Sequence, residues 1–207
     1  MVSKIILIGD SITDSHRGTD SEDLGDGYVR LLRDYYITFF PEKELDFVNK
    51  GVSANRITDL KQRWQRDVID VKPDWVSISI GINDVWRQLD NPEINQVDPD
   101  QFLSIYKKLL KQVADETDSQ IILMQPTVIE EDADSKGNQL LKDYVEIVDK
   151  LAKDYQAILV PTHEAFITQI EKNSSVPLTT DGVHMTSTGN MLMARTWIEA
   201  VKEAITH

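Results

Sequence analysis

Short apolar runs alternate along the chain with longer segments in which apolar residues recur every three or four positions. The first pattern is typical of buried strands and the second of amphipathic helices. The runs that predict strands are residues 5–8, 45–49, 75–80, 121–124 and 157–160. Because strands and helices alternate, the sequence predicts an α/β fold, with a five-stranded parallel sheet between two helical layers.

A few local signals predict where helices and loops fall. The helix that ends before Pro41 is expected to bury one face, formed by Tyr28, Leu31, Leu32, Tyr35 and Phe39. Residues 98–101 (Asp-Pro-Asp-Gln) combine an N-cap, a first-turn proline and a capping-box partner, so a helix is predicted to begin there. The polar segments 14–26 and 85–98 are predicted to be loops.

The composition narrows the class of protein and of partner. The 207 residues, 41% hydrophobic and 28% charged, fit one folded domain spanning residues 1–207. The balance of 22 Lys and Arg against 35 Asp and Glu gives a formal net charge of −13. Nucleic acid and anionic membrane surfaces need a basic patch, so this charge argues against both as partners and leaves a small molecule.

Features that the sequence lacks exclude further classes of site. Without cysteine the chain has no disulfide, no thiolate metal site and no cysteine nucleophile. No segment approaches the ~18 consecutive apolar residues of a membrane span, and the first strand begins too early to leave room for a signal peptide. We therefore expect a cytoplasmic protein.

The residues that carry candidate chemistry follow strands or lie in one late loop. They form four short segments: residues 9–11 (Gly-Asp-Ser), Gly51, residues 81–84 (Gly-Ile-Asn-Asp) and residues 181–184 (Asp-Gly-Val-His). Right-handed crossovers bring the carboxyl ends of parallel strands to one edge of a sheet. Residues that are far apart in the sequence are therefore expected to share one crevice.

Ser11 needs a general base to act as a nucleophile at neutral pH, and histidine is the usual base. The chain has four histidines: His16, His163, His184 and His207. Only His184 follows a carboxylate by three positions within a polar, glycine-containing loop, and that carboxylate is Asp181. An aspartate so placed can accept from one ring nitrogen while the other faces the serine. The spacing predicts a catalytic set of Ser11, His184 and Asp181.

Acyl transfer also needs hydrogen-bond donors for the oxyanion that develops on the carbonyl oxygen. The side-chain amide of Asn83, after the third strand, is a candidate donor. The backbone N–H of Gly51 is a second, because a residue without a side chain lets substrate approach closely; a plain turn glycine is an equal alternative.

The aspartates near these segments allow two interpretations. As a cluster, Asp10, Asp14, Asp84 and Asp181 would suggest Mg²⁺-dependent phosphoryl chemistry. As structural groups they would cap loops and hold the serine and the asparagine in place. We favour the structural interpretation for Asp10 and Asp84, since each lies beside a turn and a better candidate, and no metal site is predicted.

With these segments assembled, the chain resembles the GDSL-type esterases and lipases, or SGNH hydrolases, over nearly its whole length. Ser11, Gly51, Asn83 and His184 match the four residues of that name, in order. The resemblance implies a flavodoxin-like α/β/α fold and hydrolysis of esters or thioesters without a metal or other cofactor. It also implies that His184 is oriented by Asp181, and that the oxyanion hole comprises the Ser11 and Gly51 N–H groups and the Asn83 side chain.

Three positions depart from the family pattern. Ile12 replaces leucine, Ala54 stands where a second glycine often follows Gly51, and Met185 stands where proline often follows the histidine. None of these changes removes a catalytic group. They concern the geometry of the loops, and through it the choice of substrate.

We expect a serine ester hydrolase that works through an acyl-enzyme. The loops expected at the rim of the crevice, residues 14–26, 85–98 and 128–136, are polar and acidic, which favours a small acyl group on a hydrophilic alcohol such as an acetylated carbohydrate. Trp86 is a candidate substrate-binding residue, with a packing role as the alternative. The other functions considered are a lysophospholipase or thioesterase for longer chains, a non-catalytic binding module and a metal-dependent phosphatase.

Overall fold

The computed structural model describes residues 2–172 and 175–206, so His207 lies outside the described residues. Five strands form one parallel sheet in the order β2-β1-β3-β4-β5, which is the strand order of flavodoxin-like folds. The strands are Ser3–Gly9 (β1), Leu45–Gly51 (β2), Trp75–Ser79 (β3), Gln120–Met124 (β4) and Ile158–Val160 (β5). The predicted fold class is confirmed.

Two layers of helices cover the sheet. The α-helices of the described chain are Ser11–Asp14 (α1), Tyr28–Phe39 (α2), Ile57–Trp64 (α3), Ile82–Asp90 (α4), Pro99–Glu116 (α5), Lys136–Asp154 (α6), Thr162–Glu171 (α7) and Ser187–Thr206 (α8). Helices α2 and α7 pack against α8, whereas α3, α5 and α6 pack against one another in series. Within the described residues, no helix is long and apolar enough to cross a membrane.

Strand β1, which lies between β2 and β3, is buried on both faces, as expected for a parallel sheet between helices. All four residues from Ile5 to Ile8 have no exposed surface. Gly9, the last residue of β1, pairs with Gly51 of β2 on one side and with Ser79 of β3 on the other. The three strands therefore end level with one another, and the segments that follow them meet at one edge of the sheet.

The helix signals of the sequence are confirmed at one helix and need a correction at another. At the start of α5, the Asp98 carboxylate accepts from the Gln101 N–H at 2.8 Å, as the spacing predicts. On α2, Phe39 was predicted to be buried but is 65% exposed, and Tyr36 is buried instead. Phe39 packs on the ring of Tyr35 at the surface, with ring centroids 4.8 Å apart.

The prediction of a loop over residues 85–98 is wrong in its first half, because α4 continues to Asp90. Gly81 precedes this helix with φ of +124°, a backbone conformation that favours glycine. The first turn of α4 buries two polar residues, Asn83 and Asp84. Polar residues on the inner face of a helix break the apolar period by which a helix is recognised, so the sequence pattern was typical of a turn.

Candidate active site

Ser11 lies where the chain turns sharply from β1 into α1. The carboxylate of Asp10 caps this short helix by accepting from the Ile12 N–H at 3.0 Å. Ser11 is the first helical residue, and N–H groups in the first turn of a helix have no acceptor within it. The turn thus presents both the hydroxyl and the N–H of Ser11 at the edge of the sheet.

The structure brings Ser11, His184 and Asp181 together as the sequence predicts. Ser11 Oγ lies 2.9 Å from His184 Nε2, and His184 Nδ1 lies 2.7 Å from Asp181 Oδ2. The second carboxylate oxygen of Asp181 accepts from the backbone N–H groups of His184 and Val183, at 2.8 and 3.0 Å. One carboxylate therefore fixes both the ring and the loop that carries it.

These hydrogen bonds define the proton positions in the chain from Ser11 to Asp181. Desolvation raises the pKa of Asp181, but hydrogen bonds from the His184 N–H, the His184 ring and the Val183 N–H outweigh it and lower the pKa. An ionised carboxylate only accepts hydrogen bonds, so His184 Nδ1 donates to Asp181. In the neutral imidazole, Nε2 is then the acceptor for the Ser11 hydroxyl, which is the arrangement a general base requires.

A second carboxylate anchors the loop that carries His184. Glu131 Oε1 accepts from the backbone N–H groups of Leu178 and Thr179, at 2.9 and 2.6 Å, and from the Thr179 hydroxyl at 2.7 Å. The neighbouring N–H of Glu130 donates to the carbonyl of Gly182 at 2.7 Å. The segment after β4 thus holds the loop that carries His184, a contact that the sequence pattern did not reveal.

Asn83 lies in the first turn of α4 with 1% of its surface exposed. Its Nδ2 donates to the backbone carbonyl of Asn55 at 3.1 Å. A side-chain amide carries two donor hydrogens, so this hydrogen bond orients the group and leaves the second hydrogen for a ligand. The geometry fits the donor role that the sequence predicts.

The structure differs from the sequence interpretation at Gly51. A Cβ added there would lie 2.1 Å from the Asp14 nitrogen, so glycine is needed because α1 packs directly on the end of β2. The Gly51 N–H donates to the buried side-chain oxygen of Asn49 at 2.8 Å. Gly51 therefore allows a close approach of backbone to backbone, and its N–H already has an acceptor.

Ala54 is an exposed residue on the same loop, at the position where the family pattern often has a second glycine. Its φ of +65° places it in the left-handed region that favours glycine. No hydrogen bond of its N–H occurs among the described residues. The next residue, Asn55, holds the Asn83 amide. The only sign of this conformation in the sequence was that related sequences often have glycine where this chain has Ala54.

Two buried carboxylates lie beneath the site. Burial raises the pKa of Asp10 and of Asp84 to about 7, and the charge of Asp10 contributes to the rise at Asp84. Both oxygens of Asp84 accept from the Ile57 N–H, each at 3.2 Å. Asp84 thus ties the first turn of α4 to the start of α3, which agrees with the structural interpretation of these residues.

The cluster of four aspartates considered for a metal does not form as a unit. Asp14 accepts from the Ser53 hydroxyl at 2.6 Å, and Asp181 from His184. Among residues 2–172 and 175–206, no three histidine, aspartate or glutamate side chains are grouped as a metal ion would require.

A crevice of about 580 Å³ opens beside Ser11 and His184. Many of its lining residues carry hydroxyl, carboxylate or imidazole groups, namely Asp14, Ser15, His16, Asp26, Ser53, Thr180 and Ser187, and Ile12 and Met185 add apolar surface. His16 is one of the two remaining described histidines and lies 3.3 Å from the Asp26 carboxylate. The other, His163, is buried and bonded through Nδ1 to the Thr127 carbonyl at 2.5 Å.

Trp86 borders the site from α4. Its ring meets the His184 ring edge to face, with centroids 5.8 Å apart, and the Arg87 guanidinium covers it at 4.9 Å. A smaller cavity of about 170 Å³ lies between Trp86 and the loop around Gly182. Trp86 is half-buried, so part of the ring packs and part remains accessible.

Known proteins share both the sequence and the fold of this chain. The GDSL-like Lipase/Acylhydrolase family matches residues 7–192. An acetylxylan esterase from Geobacillus stearothermophilus is 36% identical over 206 residues, covering 96% of this chain and 93% of that protein.

Solved structures of similar sequence also share the fold of this chain. The crystal structure of the acetylxylan esterase from Geobacillus stearothermophilus has a TM-score of 0.89 at 35% identity, covering 96% of this chain and 94% of that one. An α/β hydrolase from the metagenome of Lake Arreo, Spain, has a TM-score of 0.90 at 33% identity, covering 97% and 95%.

Three further structures of the Geobacillus stearothermophilus enzyme are described as catalytic mutants, in which a serine, an aspartate or a histidine is replaced by alanine. These residue types are the ones that meet in the present site. From the family match and the homologous esterase, the chain is a carboxylic ester hydrolase, and it belongs to the GDSL-like lipase/acylhydrolase family.

Proposed function

We propose that the protein hydrolyses small acyl esters of a hydrophilic alcohol, such as an acetylated carbohydrate, through an acyl-enzyme on Ser11. The observation that supports this most strongly is the continuous chain of hydrogen bonds from Ser11 Oγ through the His184 ring to Asp181. In this proposal residues 1–207 act as one domain, since the candidate residues come from both ends of the chain.

In the first half of the reaction, Ser11 Oγ attacks the ester carbonyl carbon while His184 Nε2 takes the hydroxyl proton. The tetrahedral intermediate collapses, and His184 gives that proton to the departing alkoxide, so the alcohol leaves neutral. Asp181 stabilises the imidazolium that forms between the two transfers. In the second half, His184 removes a proton from water, the hydroxide attacks the acyl-enzyme, and Ser11 recovers its proton as the acid leaves.

The oxyanion is stabilised by the Ser11 N–H and the second amide hydrogen of Asn83. Ala54 is proposed as the third donor in place of Gly51, because the Gly51 N–H is taken by Asn49 and the Ala54 N–H has no acceptor among the described residues. Donors that are fixed before the reaction stabilise the developing charge without reorganising. Gly51 then contributes by letting α1 approach β2.

The polar side chains that line the crevice support the proposal that the alcohol part of the ester is hydrophilic. Hydroxyl and carboxylate side chains such as Ser53, Asp14 and Asp26 line the crevice, and these groups exchange hydrogen bonds readily with sugar hydroxyls. The homologous enzyme from Geobacillus stearothermophilus acts on acetylated xylan according to its name, which points to the same substrate class. Trp86 is proposed to contact the bound ester beside His184, because its accessible ring is adjacent to the imidazole.

The function is tested by turnover of p-nitrophenyl acetate and an acetylated xylo-oligosaccharide by the wild type and by Ser11→Ala. We expect the variant to lose activity on both, whereas Ser104→Ala, an exposed serine on α5, retains it. Full activity of Ser11→Ala would overturn the proposed nucleophile, and loss of activity after treatment of the wild type with EDTA would favour a metal-dependent enzyme.

The acyl group is tested by a series of p-nitrophenyl esters from acetate to decanoate. We expect kcat/KM to be highest for acetate and to fall with chain length. A maximum at long chains would support the alternative of a lysophospholipase or thioesterase, and the absence of any Ser11-dependent turnover would favour a binding module.

A further inference from the structure

Arg63, on α3, is a buried cation next to the active site that the proposed mechanism does not use. Its side chain is 9% exposed, and its guanidinium donates in four directions. Nη2 donates to the Gly9 carbonyl and Nη1 to the Lys50 carbonyl, both at 2.7 Å. Nε donates to the side-chain oxygen of Asn55 at 2.7 Å, and Nη1 also to the Asp67 carboxylate at 3.0 Å.

Three of these acceptors belong to segments that carry the proposed site. Gly9 is the last residue of β1, two positions before Ser11. Lys50 and Gly51 share one peptide group, so the hydrogen bond to the Lys50 carbonyl orients the end of β2. Asn55 follows Ala54, and its backbone carbonyl accepts from Asn83 Nδ2. A single planar group thus connects the nucleophile, the turn after β2 and the anchor of the amide donor.

Packing of the hydrophobic core does not explain why the residue at position 63 is a charged arginine. Desolvation lowers the pKa of Arg63, and its hydrogen bond to Asp67 only partly offsets this. Asp67 also accepts from Arg66 Nε at 2.7 Å, so Arg63 shares its counter-ion. Burying a charge is costly, and apolar residues of similar volume often serve stability as well or better. The carbonyl contacts give a reason for the charge that packing does not.

We infer that Arg63 is a positioning residue of the esterase, which fixes the distance between Ser11 and the donors of the oxyanion hole. The rigid fork of a guanidinium can hold several acceptors at set angles, whereas an ammonium acts as a point charge on a flexible stem. This role rests on the proposed function, because it assigns Arg63 a part in placing the proposed nucleophile and donors. Arg63 itself does not touch the substrate.

The test compares Arg63→Lys and Arg63→Met with the control Arg66→Met. Arg66 shares the Asp67 partner and is 75% exposed, and among the described residues its side chain has no hydrogen bond to any other residue. Since misplacing reacting groups by about 1 Å can cost roughly 100-fold, we expect kcat of Arg63→Lys to fall about 10- to 100-fold with KM changed less than about twofold. Arg63→Met should lose at least as much, and Arg66→Met should retain the wild-type kcat and KM.

The measurement separates positioning from stability. Urea titration gives the folded fraction of each variant, and kcat is expressed per folded molecule. Inhibition by phenylboronic acid, which forms a tetrahedral adduct with an active serine, should weaken in proportion to the fall in kcat. Wild-type kcat per folded molecule in Arg63→Lys would overturn the positioning role alone, whereas a wild type without Ser11-dependent turnover would overturn it together with the proposed function.

Discussion

The two halves of the active site are built in opposite ways. Ser11 follows the end of β1 and Asn83 follows the end of β3, both in the middle of the sheet. Only 1% of the surface of Asn83 is exposed. His184 and Asp181 lie on a loop before α8, with side chains that are 38% and 47% exposed. Buried groups from several segments hold the first half, whereas the second is held by hydrogen bonds within its own loop and by Glu131.

The difference in exposure between the two halves agrees with the roles proposed for them. Donors for an oxyanion are most effective when they are fixed and shielded from water, because they then stabilise charge without reorganising. A general base exchanges protons with the leaving alcohol and with water, so partial exposure suits His184. In the proposed mechanism, the strand ends set the geometry of the reaction, and His184 on the exposed loop transfers the protons.

The largest expected effect of the predictions that follow is at the buried half. Asn83→Ala removes one oxyanion donor and should lower kcat roughly 10²- to 10³-fold with little change in KM, because the donor acts mainly in the transition state. Steady-state kinetics with p-nitrophenyl acetate measure both parameters. Asn91→Ala, just beyond the same helix, is the control and should behave as the wild type. A change confined to KM would contradict the donor role.

A smaller effect is expected at the exposed half. Replacing the buried catalytic aspartate of a protease triad lowers kcat about 10⁴-fold. The effect should be smaller for a half-exposed aspartate such as Asp181, because water already screens its charge. Asp181→Ala should therefore lower kcat by less than Asn83→Ala, by about 10- to 100-fold. The exposed Asp154→Ala on α6 serves as the control. If Asp181→Ala proved more damaging than Asn83→Ala, the comparison between the halves would be wrong.

The smallest effect concerns stability and pH in the buried half. The pKa of Asp84 is raised to about 7 from 3.8, so the folded chain keeps a proton that the unfolded chain has lost. Its contribution to the free energy of unfolding therefore falls as pH rises from about 4 to 7, by at most about 1.4 kcal/mol per pH unit. Asp84→Asn should reduce this slope in urea titrations at pH 5, 6 and 7. An unchanged slope would show that Asp84 does not hold the proton.

Much of this arrangement can be read from the sequence because it follows from topology. Parallel strands that alternate with helices bring their carboxyl ends to one edge, so Ser11 and Asn83 could be assigned to one crevice without coordinates. The spacing of Asp181 and His184 predicted their hydrogen bond, because both residues lie in one short loop. These inferences needed only local patterns and one rule of handedness.

The remaining features depend on contacts between segments that no local pattern encodes. The helix after Gly81 was missed because its first turn buries Asn83 and Asp84, which are polar. At Gly51, the sequence does not show that the side-chain oxygen of Asn49 accepts the hydrogen bond from the Gly51 N–H. Nothing in the sequence around Arg63 distinguishes it from the other charged residues of the chain, and only the fold shows that its partners come from three separate segments.

The most direct test of the central claim is covalent labelling with a fluorophosphonate, followed by peptide mass spectrometry. Attack by an activated serine forms a bond from Oγ to phosphorus and releases fluoride. We predict one label per molecule, on Ser11, with no labelling of Ser11→Ala and much slower labelling of His184→Ala. Labelling at another residue, or equal rates in wild type and His184→Ala, would contradict the proposal that the buried strand end and the exposed loop form one catalytic site.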